Sequence, residues 1–211
     1  MHTTREDFKP GTLIYPLPAV LVSCGETEEE KNLLTVAWTG TICTDPAMCY
    51  ISVRKERHSH AIISRTGEFV INLTTRALCR ATDWCGVRSG RDYDKFKEMG
   101  LTAVWAKHVK APLVAESPVA IECRVKQVLE LGTHDMFIAE VVGIEVDPQY
   151  IDPETGKFHL EKADLVAYSH GAYFTLGEQI GTFGYSVRKR PAVKKRAKRK
   201  EKREKRKEVR Y

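Results

Sequence analysis

The chain has 211 residues, 42% of them apolar and 29% charged, which accommodates one globular domain with or without an extension and excludes two large ones. Its formal charge of +6 and pI near 9.0 are unevenly placed: Ser186 to Tyr211 hold 15 Lys or Arg against three Glu, leaving 19 basic and 25 acidic residues before them. An acidic body thus carries a basic tail, and no run approaches the about 20 consecutive apolar residues that cross a bilayer, so no membrane partner is expected.

In chain order, Pro16 and Pro18 lead into a short apolar strand, Ala19 to Cys24, closed by Gly25 and the acidic turn Glu26 to Glu30. Leu33 to Cys43, rich in β-branched and small residues, reads as a second strand. After the turn signal Asp45-Pro46, Met48 to Val53 reads as a third. Ser59 is placed to cap a short helix through Ala61, Ile62 and Ile63 that stops at Gly67. Phe69 to Leu73 returns to strand, and Thr75 to Cys85 has helical spacing that ends at Gly86.

The clearest strand pair comes late. Val119, Ile121, Cys123 and Val125 alternate with Glu122, Arg124 and Lys126, and the alternation slips near Gln127 and Val128, where a β-bulge is expected. Gly132 to Asp135 makes the turn, and Met136 to Val146 returns. After a loop from Asp147 to Ala163 come Leu165 to Ser169 and the glycine-punctuated Tyr173 to Val187. The pattern is mostly β with peripheral helices and lacks a strand-helix-strand rhythm, which argues for an antiparallel barrel or closed sheet. Residues 1–190 are read as this body. Residues 191–211, with almost no large apolar side chains, are read as a basic tail that cannot repay the cost of ordering.

Met1 to Leu13 has no apolar core of the secretory type, so the cytoplasm is the expected location. The six cysteines form no Cys-x-x-Cys clip, and a body this large can build a core without disulfides; they read as reduced thiols. His58 and His60 find no third ligand at a convincing spacing, and no metal site is expected. Nucleophile elbow, P-loop and His-Glu-x-x-His signatures are missing.

Two constellations remain. Arg54 to Ser59, between a strand and a helix start, combines guanidinium groups, free backbone N–H groups and a helix dipole as a phosphate site would, although a solvated charged turn has the same composition. Thr35 to Thr41 places glycine and small side chains on a strand, which lets a flat ligand approach the backbone or serves packing alone. Together they suit a ligand with a flat polar ring at one end and a phosphate at the other.

Nine motifs in order carry a resemblance that spans about residues 8–188. They are Asn32 with Thr35 to Gly40, Asp45-Pro46, Ile51 to Ser59, Gly67 to Asn72, Asp92 to Leu101, the Pro112 segment before Glu116-Ser117-Pro118, Ile121 to Val125, His134 to Val141, and Leu176 to Val187. The sequence resembles the flavin reductase-like, FMN-binding split-barrel family, most closely its flavoredoxin branch. That resemblance implies a six-stranded antiparallel split β-barrel and a homodimer with FMN in a groove near the subunit interface. It further implies that Ala37, Trp38, Thr39 and Gly40 face the flavin ring and that Thr39 and Thr41 reach the ribityl hydroxyls. Arg54 and Ser59, helped by Lys55 or Arg57, would hold the phosphate. His134 would lie at the redox face where a nicotinamide stacks, or else serve only as a turn residue. Lys95 and Tyr168 to Tyr173 are placed near the flavin without a definite role.

The implied function is an oxidoreductase that takes electrons from NADH or NADPH and passes them to flavin, ferric or small-molecule acceptors. The absence of a catalytic signature accords with this, because flavin itself accepts hydride and a protein need supply only position and electrostatics. Two alternatives stand beside it: an electron carrier fed by a protein donor, and a barrel scaffold whose basic tail binds nucleic acid or an acidic partner.

Overall fold

A computed structural model describes residues 4–188. Its strands are β1 (Leu17–Pro18), β2 (Val20–Cys24), β3 (Asn32–Val36), β4 (Thr39–Thr44), β5 (Ala47–Arg54), β6 (Glu68–Leu73), β7 (Ala103–Trp105), β8 (Pro112–Val114), β9 (Val119–Leu131), β10 (His134–Val146), β11 (Val166–Ser169) and β12 (Ala172–Thr175). Helices α1 (His58–Thr66), α2 (Cys79–Val87) and α3 (Lys95–Met99) stand between them. The chain through Leu176 forms one compact unit, and the segment from Gly177 forms another, with a single described 3₁₀ turn at Tyr185–Val187. The basic tail of residues 191–211 lies outside the described residues. Among the described residues no helix is long and apolar enough to cross a membrane.

Seven strands form the main sheet in the order β3-β2-β6-β9-β10-β5-β4, and every pairing is antiparallel. The expected mostly β architecture with peripheral helices and the split-barrel fold class hold. The sheet has seven strands rather than the six expected, and its course differs in other details. The run Leu33 to Cys43 is two strands rather than one, because the chain leaves the sheet at Ala37 and Trp38 and rejoins it at the opposite edge. The sheet is also not closed by hydrogen bonds, since β3 and β4 are both edges. Three Cα steps span at most about 11 Å, so the sheet must curl until its two edges nearly meet. Trp38 ties the link down by accepting a hydrogen bond from the Ser52 N–H at 2.9 Å.

Inside the curl lies a core of Val20, Val22, Leu34, Val36, Ile51, Val53, Phe69, Ile71, Phe137 and Ala139, with Ile62 and Ile63 entering from α1. A helix of nine residues is shorter than the about 12–15 needed for stability in isolation. Burial of its two isoleucines, about 1.5–3 kcal/mol each, holds it in place. Its end at Gly67 is as expected, with a left-handed φ of 69° and an N–H bonded to the Ile63 carbonyl at 2.9 Å. Its start is not: Arg57 occupies the cap position without a side-chain bond, and Ser59 is buried in the first turn instead.

A second core packs outside β2 and β3, where Leu21 and Leu33 meet Cys85 of α2, Phe96 of α3 and Val114. All five residues of β2 are therefore buried, and the strand reads as a continuous apolar run because both its faces are covered. Helix α2 begins at Cys79, later than its apolar spacing suggests, because Thr75 is engaged in a bridge to Leu165. In β9 the register steps from Gln127 to Val125 across Ile138 and Ala139, so Lys126 is the extra residue of the expected bulge. The hairpin turn is only Gly132 and Thr133; His134 and Asp135 belong to β10, paired with Arg54 and Val53 of β5.

All six cysteines are free thiols, with the Cys49 and Cys123 sulfurs 3.5 Å apart in the core. Glu122, fully buried on β9, accepts hydrogen bonds from the Val109 N–H at 3.1 Å, from the His108 N–H and from the His108 ring at 2.9 Å. Burial works against its charge, but these bonds outweigh it and hold the carboxyl below the ordinary glutamate range. Glu122→Ala would leave two backbone donors unsatisfied, at about 1–3 kcal/mol each. Urea unfolding should show a lower midpoint at unchanged slope, with Glu122→Gln in between. The carboxylate's contribution is present above the unfolded-chain pKa and lost as the pH falls through the folded value. The wild type should therefore lose stability more steeply than Glu122→Ala on acidification.

Candidate ligand-binding groove

Where the sheet edges approach without pairing, a groove of about 380 Å³ opens. The link supplies Ala37 and Trp38, β5 supplies Ser52, Val53 and Arg54, and β10 supplies His134. Asp83, Gly86 and Val87 come from α2, and Tyr168 and Tyr173 from β11 and β12. The Trp38 and His134 rings lie 4.6 Å apart at 35°. His134 follows from the β10 register, which sets it beside Arg54. Burial, then the charge of Arg54, pushes its imidazole below the ordinary histidine range, so it is neutral at pH 7. Tyr168 and Tyr173 are 5.4 Å apart. Tyr173 donates to Asp83 at 3.2 Å, and burial followed by that carboxylate pushes the phenol well above its usual range. The groove thus offers aromatic rings for a flat ligand and backbone polar groups at the strand break.

A second cavity of about 260 Å³ adjoins the first; Leu34, Arg57 and Val87 line both. Its walls are Asn32, the Glu56–Ser59 turn into α1, the Arg88–Arg91 loop after α2, and Lys95. Asn32 donates to the Ser59 hydroxyl at 2.7 Å. A Cβ on Gly90 would sit 2.2 Å from the Asn32 side-chain oxygen, so the loop closes this tightly only with glycine there. Arg57 donates to the Gly86 carbonyl at 2.9 Å, which holds its guanidinium where the cavities join. The first turn of α1 has no acidic residue and no side-chain cap, leaving the positive end of its dipole for a ligand.

Lys95 is the decisive group. Its side chain is buried, and its ammonium donates to the Cys85 carbonyl at 2.7 Å. Among the described residues no carboxylate pairs with it: the charged or titratable neighbours that act on it are Cys85, Arg57 and Cys24. Burial first, with Arg57 adding repulsion, pushes its pKa down to about 8 from the usual 10.5. A buried ammonium without a counter-charge is costly, and an anion in the cavity would relieve that cost.

Of the residues singled out from sequence, Ala37, Trp38, Arg54, Arg57 and His134 line the groove, and Arg57, Ser59 and Lys95 line the cationic cavity. Thr39, Gly40, Thr41 and Lys55 line neither. The Thr39 hydroxyl donates to the Tyr50 carbonyl at 2.6 Å, Gly40 faces the Tyr50 ring, and Thr41 is exposed on β4. They follow the break and belong to the far edge. Lys55 pairs with Glu130 at 2.9 Å and Asp135 at 3.2 Å. Asn32, Asp83, Ser89 and Gly90 were not among the sequence candidates; Ser89-Gly90 is a turn signal, but nothing in the sequence places it opposite Asn32.

Residues 12–177 match the family described as flavin reductase like domain, and the chain belongs to that family. Its structure is similar to the flavoredoxin of Desulfovibrio vulgaris (Miyazaki F), with a TM-score of 0.80 and 31% identity over 88% of this chain and 100% of that one. A flavoredoxin from Methanosarcina acetivorans gives 0.79 at 25% identity, over 88% and 100%. The fold is shared with an FMN-binding protein from Thermus thermophilus at a TM-score of 0.71 and 23% identity, over 86% and 99%.

Lys95 gives the cationic cavity a pH signature. Calorimetric titration with inorganic phosphate should show affinity falling as the pH rises through about 8, because only the ammonium attracts the anion. Lys95→Met should bind phosphate weakly at every pH. The unliganded protein should show the opposite trend: between about 8 and 10.5 the unfolded chain holds more protons at this lysine, so its contribution to stability rises with pH.

Proposed function

We propose that this protein is an FMN-binding flavoprotein oxidoreductase that reduces its flavin with NADH or NADPH and passes the electrons to flavin, ferric or small-molecule acceptors. The observation that carries the reading is the junction of an aromatic-walled groove with a cationic cavity at Arg57. This donor set suits a flat ring bearing a phosphate monoester, and the uncompensated Lys95 ammonium calls for such an anion. Family membership and the flavoredoxin likenesses support the same ligand.

In this reading Arg57, Ser59 and Lys95, with the start of α1, hold the phosphate. The ring lies toward Trp38 and the backbone of Ala37, and FMN supplies the redox chemistry when bound. Neutral His134, stacked on Trp38, shapes the face at which a second ligand stacks. Arg54, paired with Glu56 at 3.0 Å, adds positive charge at the groove rim. A homodimer is part of the proposal: Trp38 at the groove, Ile42 on β4 and Leu131 at the β9–β10 turn are exposed apolar residues that a second subunit would cover.

An electron carrier reduced by a protein donor is the second reading, favoured by the likeness to two flavoredoxins. Purified protein should be yellow and bleach when NADH or NADPH is added without oxygen. A yellow protein that bleaches only with a reduced protein donor is a carrier, and a protein that takes up no FMN overturns both readings. His134→Ala should keep its flavin but slow reduction about 2- to 10-fold, the scale of one lost ring contact. Unchanged kinetics would make His134 a bystander.

A further inference from the structure

We infer that Asp135 is a positioning residue that sets the cationic turn between β5 and α1 against the His134 side of the groove. It lines neither cavity. Its carboxylate is 8% exposed and accepts from the His60 ring at 2.7 Å through one oxygen, while the other lies 3.2 Å from the Lys55 ammonium. Among the described residues that second oxygen is buried without a hydrogen-bond partner, so the charge of the nearby Lys55 ammonium is what compensates it. Lys55 is held from the far side by Glu130 at 2.9 Å, and the His60 ring meets Phe137 edge-on at 5.3 Å.

The neighbours of these residues give the network its meaning. Asp135 follows His134, His60 follows Ser59, and Lys55 lies between Arg54 and Arg57. One buried carboxylate therefore ties together the strand that carries the ring-face histidine, the helix that carries the cavity hydroxyl, and the turn that carries both arginines. The turn needs this tie because Arg54, Lys55 and Arg57 repel one another, and the only acid within it, Glu56, is committed to Arg54. Burial opposes the Asp135 charge, but the bonds from His60 and Lys55 outweigh it and hold the carboxyl below the ordinary aspartate range. The anchor is thus ionised throughout the neutral range. In Asp135→Asn the side chain keeps its size and an oxygen for His60 but loses the charge that gathers Lys55. The arginines and Ser59 should then drift relative to the anion while the aromatic groove stays intact.

The inference rests on the FMN reading for its ligand, and the test separates the two by using inorganic phosphate, FMN and riboflavin as probes. Asp135→Asn should weaken FMN and phosphate about tenfold, a change of about 1.4 kcal/mol in binding free energy, and riboflavin less than about twofold. His60→Gln cuts the same tie from its other end and should act in the same direction, and the double variant should be no worse than the more damaged single one. Equal losses for FMN and riboflavin, or unchanged phosphate binding in both variants, would overturn the inference. If Asp135→Asn fails to fold, the phosphate affinity of His60→Gln decides. If the wild type binds phosphate but neither flavin, the FMN reading fails and Asp135 is judged on phosphate alone; if it binds no phosphate, this inference fails.

Discussion

The structure depends on a covalent constraint: two residues, Ala37 and Trp38, join the opposite edges of a seven-stranded sheet. Because so short a link cannot reach across a flat sheet, it fixes the curl, and with it the enclosed core. The edges approach but do not pair, so their backbone groups remain available where the sheet is open. Unpaired edges invite association with other strands. Here the link and the aromatic residues Trp38, His134, Tyr168 and Tyr173 surround that opening, making it a site with defined walls.

Three buried charges around this frame are handled in different ways. Glu122 is satisfied within the fold by backbone amides and His108, and it anchors a loop. Asp135 is bonded by the His60 ring and ion-paired with Lys55, side chains from a helix and a turn, so these contacts join elements that carry site residues. Among the described residues Lys95 has only a backbone carbonyl. The contrast matters because burial alone makes every such group costly: the fold compensates the two carboxylates from its own residues and leaves the ammonium facing a cavity. That difference distinguishes structural charges from one that serves a ligand.

Much of this was legible in the sequence, for reasons specific to each element. The alternation of β9 holds at Arg124 and Lys126, which meet solvent beside half-buried Val125, but not at Glu122, which is fully buried on the same polar face; the bulge at Lys126 is marked by the slip in that alternation. The break at Ala37-Trp38 was hidden because neither residue is a turn former, and the constraint that bends the chain comes from the far side of the sheet. Ser59 carried the right residue type for a cap, yet Asn32, 27 positions away, claims its hydroxyl. Arg54, Arg57 and Ser59 were found as a cluster because they are local in sequence. Lys95 could be placed near a ligand only by resemblance, since its burial depends on helices that meet through tertiary packing.

The width of the groove follows from a further small feature. Thr35 on β3 donates its hydroxyl to the Thr82 carbonyl of α2, which draws helix and strand together. A Cβ on Gly86 would lie 3.2 Å from the Thr35 Cβ, so a side chain there would press helix and strand apart by a few tenths of an ångström. At that spacing the Gly86 carbonyl is in position to receive Arg57. A larger residue would push α2 outward, widening the aromatic groove and releasing the arginine at its junction with the cationic cavity. Ring recognition and anion recognition are therefore mechanically linked: one helix-to-strand distance sets both the gap that admits a flat ligand and the direction of the guanidinium beside it.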